Sequence, residues 1–341
     1  MRYVIIGAGA VGGAVGGRLA QGGCEVVLVA RGKQYEALRE QGLVLQTPDG
    51  PHTHRLPVVN GPEALGVLRA DDVLVLSVKT QDSAAALAAW GPRPVDGGGT
   101  AAERLPLVCA QNGVESERLA LRTFQRVYAM CVWLPAAFVE PGVVRADGTP
   151  LTGILHLGRY PAGADDTARE IAADLERCRL DAPVVADAMR WKYAKLLANL
   201  ANSIEAVSGV LTSEEGIALF RRARAEGEAV LAAAGIAYTS PEEEQRVRAD
   251  KIRFEPFDGS PRGGGSSWQS LQRGAGTIEA DYLNGEIALL GRLHGVPTPV
   301  NDVLQERANE AAREGRPPGA TSVTDLVAAV DARVARTVSG S

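Results

Sequence analysis

The stretch Met1-Arg2-Tyr3-Val4-Ile5-Ile6-Gly7-Ala8-Gly9-Ala10-Val11-Gly12 decides the fold of the N-terminal half. An apolar strand runs straight into Gly-x-Gly-x-x-Gly, and a run of small residues suited to a helix follows. Each glycine answers a separate demand. Gly7 makes the tight turn, Gly9 lets backbone approach a pyrophosphate, and Gly12 lets helix pack on strand. The helix start adds unpaired N–H groups and the positive end of a dipole. Gly7, Ala8, Gly9, Ala10, Val11 and Gly12 therefore read as a dinucleotide-binding turn.

The next strand says which dinucleotide. Glu25-Val26-Val27-Leu28-Val29-Ala30 is a buried-strand run, followed by Arg31-Gly32-Lys33. A site for NAD usually places Asp or Glu at that strand end to hold the ribose hydroxyls. Here Ala30 and Arg31 stand there instead. A carboxylate would repel a 2′-phosphate, whereas a guanidinium binds one in a bidentate way. The expected cofactor is NADP(H), read by Arg31, with Lys33 as a helper.

At 341 residues the chain has room for two domains with their own cores. Its 45% hydrophobic and 23% charged residues are those of a soluble globular protein, and the net charge of -5 argues against nucleic acid as a partner. Cys24, Cys109, Cys131 and Cys178 are widely spaced, with no C-x-x-C or metal-ligand pattern, so free thiols in a reducing cytoplasm and no metal are expected. The chain opens directly on a strand rather than a signal peptide, and no apolar run spans a bilayer, so no membrane partner is expected.

Strand and helix patterns alternate through the first half, which indicates an α/β class and a parallel sheet. Later strands near Arg126 to Leu134, Gly142 to Ala146 and Gly153 to Leu157 are expected to close that sheet, and Gly91 to Gly99 to be a mobile loop. From Ala186 the period is helical, with helices expected near 187–208, 214–235, 240–253, 268–294 and 299–315. Asp258 to Ser267 has the composition of a hinge or lid, and the tail after Val334 is expected to fray. The architecture is thus a Rossmann-type dinucleotide-binding domain, 1–185, followed by an all-helical domain, 186–335.

Two polar clusters in the helical half stand out. At 3.6 residues per turn, Lys195, Asn199 and Asn202 share one stripe, while Leu196, Leu197 and Leu200 lie elsewhere. The stripe is either a substrate site, with an ammonium to polarise a carbonyl and amides to orient it, or a solvated helix face. Further on, Ser267 can cap the following helix or bind a carboxylate at its start. Glu279, beside apolar Ile278, either holds a lysine in place or is a surface acid.

In order along the chain, these motifs resemble those of the ketopantoate reductases (2-dehydropantoate 2-reductases). The set comprises Gly7-Ala8-Gly9-Ala10-Val11-Gly12, Arg31, Val78-Lys79-Thr80-Gln81, Gln111-Asn112-Gly113, Lys195-Leu196…Asn199, Ser266-Ser267 and Glu279-Ala280-Asp281-Tyr282-Leu283-Asn284-Gly285. The resemblance implies a Rossmann domain plus a helical domain and NADPH-dependent reduction of a small 2-keto acid, 2-dehydropantoate first, in pantothenate biosynthesis. It also implies a monomer or homodimer. Lys195 would be the general acid, and Glu279 would orient it or bind the substrate hydroxyl and border the cofactor. Asn199 would hold the substrate, and Ser267 its carboxylate. Asn112 would lie near both the nicotinamide ribose and the substrate, with Lys79 and Gln81 bordering the cofactor.

The chain departs from the family in two places. The family usually has a second Asn eight residues after the lysine, where Ser203 stands here with Asn202 just before it; either residue can serve the substrate. Trp268 occupies a position next to the expected carboxylate site. These changes leave two rivals open: a reductase of the same fold acting on another carbonyl, or an NADP(H)-binding sensor without turnover.

Overall fold

The computed structural model of this chain describes residues 1–255 and 264–339. The chain forms two compact units, one of Met1–Lys192 with Thr239–Pro261, the other of Tyr193–Tyr238 with Arg262–Ser341.

The first unit opens with β1 (Arg2–Ile6), α1 (Ala10–Gln21), β2 (Glu25–Val29) and α2 (Gly32–Gln41). β3 (Leu43–Thr47) and β4 (Gly50–His54) pair as a hairpin. Then come β5 (Val58–Val59), β6 (Asp72–Leu76), α3 (Ser83–Trp90), α4 (Ala101–Arg104), β7 (Leu107–Cys109) and α5 (Ser116–Leu121). β8 (Val127–Trp133), β9 (Ala136–Glu140), β10 (Val143–Ala146), β11 (Gly148–Pro150), β12 (Gly153–Arg159), α6 (Asp166–Glu176) and β13 (Leu180–Asp181) follow. An 8-stranded sheet runs in the order β13-β12-β8-β7-β6-β1-β2-β5. All its neighbours are parallel except β8 with β12. β6 and β8 are buried along their whole length, as parallel strands covered on both faces must be.

β1 lies between β2 and β6, with Ile6 opposite both Val29 and Leu76. The chain winds from β1 to β2 on one side and returns to β6 on the other. Open α/β sheets bind ligands at such a reversal, outside the carboxyl ends of the strands. The turns after β1, β2, β6 and β7 share that edge, and they carry Gly7 to Gly12, Arg31, Lys79 to Gln81 and Asn112.

α1 is covered on two sides, and its glycines make that possible. A Cβ on Gly16 would lie 3.0 Å from Leu28 in the main sheet. On the other face, a Cβ on Gly13 would lie 2.7 Å from Val144, and one on Gly17 3.0 Å from Leu45. Those two partners belong to a separate sheet, β4-β3-β10-β9. Here the structure corrects the sequence reading. β8 and β12 extend the main sheet, but the strand expected at Gly142 to Ala146 joins β3, with Val143 opposite Val44. The Gly91 to Gly99 loop is also tied down: Arg104 donates to Asp96 O at 2.8 Å, and Leu68 N donates to Pro94 O at 2.9 Å.

The helical half contains α7 (Ala188–Asn199), α8 (Ala201–Ser208) and α9 (Glu214–Ala233), then α10 (Pro241–Arg248) and β14 (Ile252–Phe254). α11 (Ser266–Gln272), a 3-10 turn over Glu279–Tyr282, α12 (Asn284–His294), α13 (Pro299–Arg313) and α14 (Val323–Ser339) complete it. Three expected helices are broken. The first divides at Leu200. The one near 240–253 stops where Ala249 takes φ +26, and β14 then pairs with β11 in the first unit. The one over 268–294 is interrupted by the 3-10 turn. α14 continues to Ser339, past the point at which fraying was expected. Most of the expected hinge, 258–263, lies outside the described residues.

Two polar clusters are buried in the first unit. Lys192 and Glu117 form an ion pair with both side chains almost wholly enclosed. Burial pushes the Glu117 carboxyl up, and the Lys192 ammonium opposes that. His156 stacks on Trp191 at 3.7 Å between ring centroids, and Trp133 meets both rings edge-on. The Arg248 guanidinium covers the Trp133 ring at 3.7 Å. Neither ring nitrogen of His156 has a hydrogen-bond partner, and burial holds the imidazole down at about 3.

Candidate active site

The turn after β1 shows why three glycines are needed. Gly7 has φ +109, and a Cβ on it would lie 2.7 Å from Val78 N. A Cβ on Gly12 would lie 2.2 Å from Gly7 O and 2.4 Å from Ser77 Oγ. Gly9 is different: a Cβ there would meet no atom within 4 Å, and its φ of -87 suits any residue. Nothing inside the protein demands glycine at that position, while a pyrophosphate seated on the turn would. α1 starts directly after Gly9 with no side chain capping it, so its first N–H groups are available to an anion. The turn therefore fits a dinucleotide.

The turn's carbonyls are engaged. Ser77 Oγ donates to Gly7 O at 2.9 Å, and Gln34 Nε2 donates to Ala8 O at 2.7 Å. Arg31 is exposed at the start of α2, two residues past the carboxyl end of β2, and Lys33 is exposed nearby. After β6, Lys79 leads into a short 3-10 turn whose Thr80 hydroxyl donates to Asn112 O at 3.4 Å. Gln111 Nε2 donates to Ser83 Oγ at 2.8 Å. These bonds hold the Asn112 loop against the Lys79–Gln81 segment, so Lys79, Gln81 and Asn112 come together after β6 and β7. Gln34, Ser77 and Ser83 were missed by the sequence reading. Each acts through hydrogen bonds to residues distant in sequence, which periodicity does not reveal.

The second unit holds the other expected residues. Lys195 and Asn199 are one turn apart on α7, and Leu196, Leu197 and Leu200 are fully buried. The Asn199 Nδ2 atom is buried and has no hydrogen-bond partner. Ser267 is 1% exposed, and its hydroxyl also lacks a partner. Buried donors without acceptors are rare and costly. Two of them on residues singled out for substrate binding mark places where a ligand oxygen would complete the bonding. The capping role expected of Ser267 does not hold: Gly265 is the N-cap of α11, and no side chain caps it from within the helix. Glu205 instead accepts from Gly265 N at 2.7 Å. That acid lies one turn past Asn202 on α8 and was not singled out from the sequence.

The two candidates that follow the break at Leu200 have different partners. Asn202 Nδ2 lies 3.4 Å from Ser266 Oγ, on the side of α11. The Ser203 hydroxyl donates instead to Asn284 Oδ1, inside a buried network. Glu279 is 4% exposed, in the 3-10 turn before α12. Trp268 packs its indole on the Gly264 backbone, where a Cβ would lie 2.7 Å from the ring. Among the described residues, no helix is long and apolar enough to cross a membrane, and no group of three or more His, Cys, Asp or Glu is placed to hold a metal ion.

Comparison with known proteins gives a consistent result. The sequence pattern described as ketopantoate reductase PanE/ApbA matches residues 3–162, and that of its C-terminal domain matches residues 187–312. The 2-dehydropantoate 2-reductase of Halobacterium salinarum is 30% identical over 325 residues, covering 92% of this chain and 100% of that protein. A crystal structure of a PanE/ApbA family ketopantoate reductase from Ralstonia eutropha JMP134 superposes with a TM-score of 0.75 at 27% identity, covering 93% of this chain and 100% of the other. A D-mandelate dehydrogenase, solved with NADH and anilino(oxo)acetate, shares the fold with a TM-score of 0.76 at 22% identity, covering 93% of this chain and all 100% of its own.

Proposed function

Since this chain belongs to the ketopantoate reductase family and is an oxidoreductase of that type, we propose that it reduces a 2-keto acid, 2-dehydropantoate first, with NADPH. The observation that carries the reading is the pair of buried, partnerless donors, Asn199 Nδ2 and Ser267 Oγ. A keto acid presents the acceptors they lack, namely a carbonyl oxygen and a carboxylate.

The dinucleotide, when bound, supplies the hydride for the carbonyl carbon. Everything else falls to side chains of this chain. Lys195 Nζ donates a proton to the carbonyl oxygen, and its charge stabilises the alkoxide as it develops. Asn199 and Asn202 orient the substrate, and Ser267 Oγ donates to the carboxylate. Glu279 holds the lysine or takes a substrate hydroxyl. Gly7 to Gly12 seat the pyrophosphate, Arg31 reads the 2′-phosphate, and Lys79, Gln81 and Asn112 border the nicotinamide half. The enzyme acts in the cytoplasm as a monomer or homodimer.

A second reading keeps the chemistry and changes the substrate tail. Trp268 favours it: this indole sits one residue from Ser267, and a bulkier keto acid would stack on it. The test follows the nicotinamide absorbance with NADPH or NADH against 2-dehydropantoate and a panel of 2-keto acids. Fast turnover with 2-dehydropantoate and NADPH supports the first reading. Turnover only with a larger keto acid selects the second, and tight binding without turnover on any keto acid rejects both.

A further inference from the structure

We propose that Gln34 is a positioning residue for the dinucleotide turn, holding the Ala8–Gly9 peptide so that no carbonyl faces the pyrophosphate. The inference rests on the reading of Gly7 to Gly12 as the dinucleotide site.

It starts from a conflict at Gly9. The ligand needs open space there, and the structure leaves it: no atom lies within 4 Å of where a Cβ would be. The same openness removes every steric restraint on a residue that is already the most conformationally free. Rotation of the Ala8–Gly9 peptide would swing the Ala8 oxygen toward the bound phosphates and set two negative groups against each other. A side chain at position 9 would stop that rotation but would fill the site. The restraint has to come from elsewhere.

Gln34 supplies it. From the first turn of α2, its Nε2 donates to Ala8 O at 2.7 Å. The Gly9 N–H, at the other end of that peptide, donates to Gly7 O at 2.8 Å, so both polar ends of the unit are held. The amide of Gln34 is itself oriented. Its Oε1 accepts from Gly142 N at 2.7 Å, in the turn between β9 and β10. A backbone donor on one side and a backbone acceptor on the other admit one amide orientation only. Gly142 O in turn accepts from Val44 N at 2.8 Å. The second sheet, which has no place in a minimal dinucleotide-binding fold, thus reaches the phosphate turn through one glutamine.

A residue acting on the pyrophosphate turn serves both dinucleotides equally, and that distinguishes it from Arg31. The test titrates the full-length Gln34→Met variant with NADPH and with NADH, following nicotinamide fluorescence, and records turnover at saturation and the melting temperature without ligand. The expected result is a Kd raised about tenfold for both dinucleotides, by the same factor within about twofold. Saturating kcat stays close to that of the unmodified protein, and the ligand-free melting temperature falls by only a few degrees, since the two lost bonds are part-buried. Gln34→Glu, of equal size, keeps the acceptor for Gly142 and loses the donor to Ala8. It weakens both dinucleotides at least as much, and it decides the matter if Gln34→Met does not fold. Unchanged affinities, or weakening of NADPH alone, overturn the role. An unmodified protein that binds neither dinucleotide overturns the site reading itself, which is a different result from a variant that binds normally.

Discussion

The Ser203 hydroxyl donates a 2.6 Å hydrogen bond to Asn284 Oδ1, while its neighbour Asn202 reaches the opposite way, toward Ser266. Asn284 passes the bonding on, donating to Asn301 Oδ1 at 3.0 Å and to Leu200 O at 3.3 Å. Asn301 Nδ2 then donates to Glu226 Oε2 at 2.8 Å, and the Glu226 carboxylate also accepts from the first N–H groups of α13. Ser203 belongs to the structure of the helical unit, and on the proposed function Asn202 is the one to serve the substrate. Ser203→Ala should cost about 1–3 kcal/mol of stability with KM for the keto acid unchanged. Asn202→Ala should raise that KM with little loss of stability. Thermal unfolding and steady-state kinetics on the two variants check the assignment, and the reverse pattern would exchange the roles.

Lys195→Ala should lower turnover by about 10²- to 10⁴-fold, the usual worth of a positioned general acid. The residues proposed for the dinucleotide lie on other elements, so NADPH affinity should change by no more than about twofold. A variant that retains near-normal turnover would remove Lys195 from the chemistry.

Arg31→Ala should separate the two nicotinamide cofactors. Loss of a charge-assisted, bidentate contact to a 2′-phosphate should weaken NADPH by about ten- to a hundredfold and leave NADH unaffected. Equal weakening of both, or of neither, would show that the exposed guanidinium reads nothing.

What could be read in the sequence follows from how local each signal is. The Gly7 to Gly12 turn is strand, turn and helix within a dozen residues, so its pattern is legible, although the segments it packs against, Ser77 and Val78, lie far along the chain. The strand Val143–Ala146 was recognised as a strand, but its partner is about a hundred residues away. No alternation of residues says that Val144 meets Gly13 rather than the main sheet. The break at Leu200 has no proline or glycine to announce it, and the different partners of Asn202 and Ser203 just after it are not visible in the sequence. The return of α10 and β14 to the first unit was hidden for a similar reason: Glu242 to Arg248 reads as helix, and only the positive φ of Ala249 ends it.

The buried pair of Lys192 and Glu117 was invisible in sequence, because lysine and glutamate are usually surface residues. Lys192→Met should destabilise the protein by about 3–5 kcal/mol, since Glu117 would be left enclosed without its cation. The double variant Lys192→Met with Glu117→Leu should recover most of that loss, because two apolar side chains need no partner. Chemical denaturation of the single and double variants checks this. A single variant as stable as the unmodified protein would mean that the pair contributes nothing.

His156 makes stability depend on pH. Its imidazole is 0% exposed, and burial, with lesser contributions from the cations of Lys251 and Arg248, lowers it from 6.5 to about 3. The unfolded chain therefore takes up a proton on this ring near pH 6.5, whereas the folded protein does so only near pH 3. The group's stabilisation is fully present above about pH 6.5 and is lost as pH falls through that interval. The slope within it is about 1.4 kcal/mol per pH unit, or about 2 kcal/mol by pH 5. His156→Phe keeps a ring to stack on Trp191 but has nothing to titrate. Its stability relative to the unmodified protein should therefore rise by about that amount between pH 7 and pH 5, read by denaturant unfolding at a series of pH values. Parallel curves for the two proteins would mean that the ring is already protonated, or already hydrated, in the folded state.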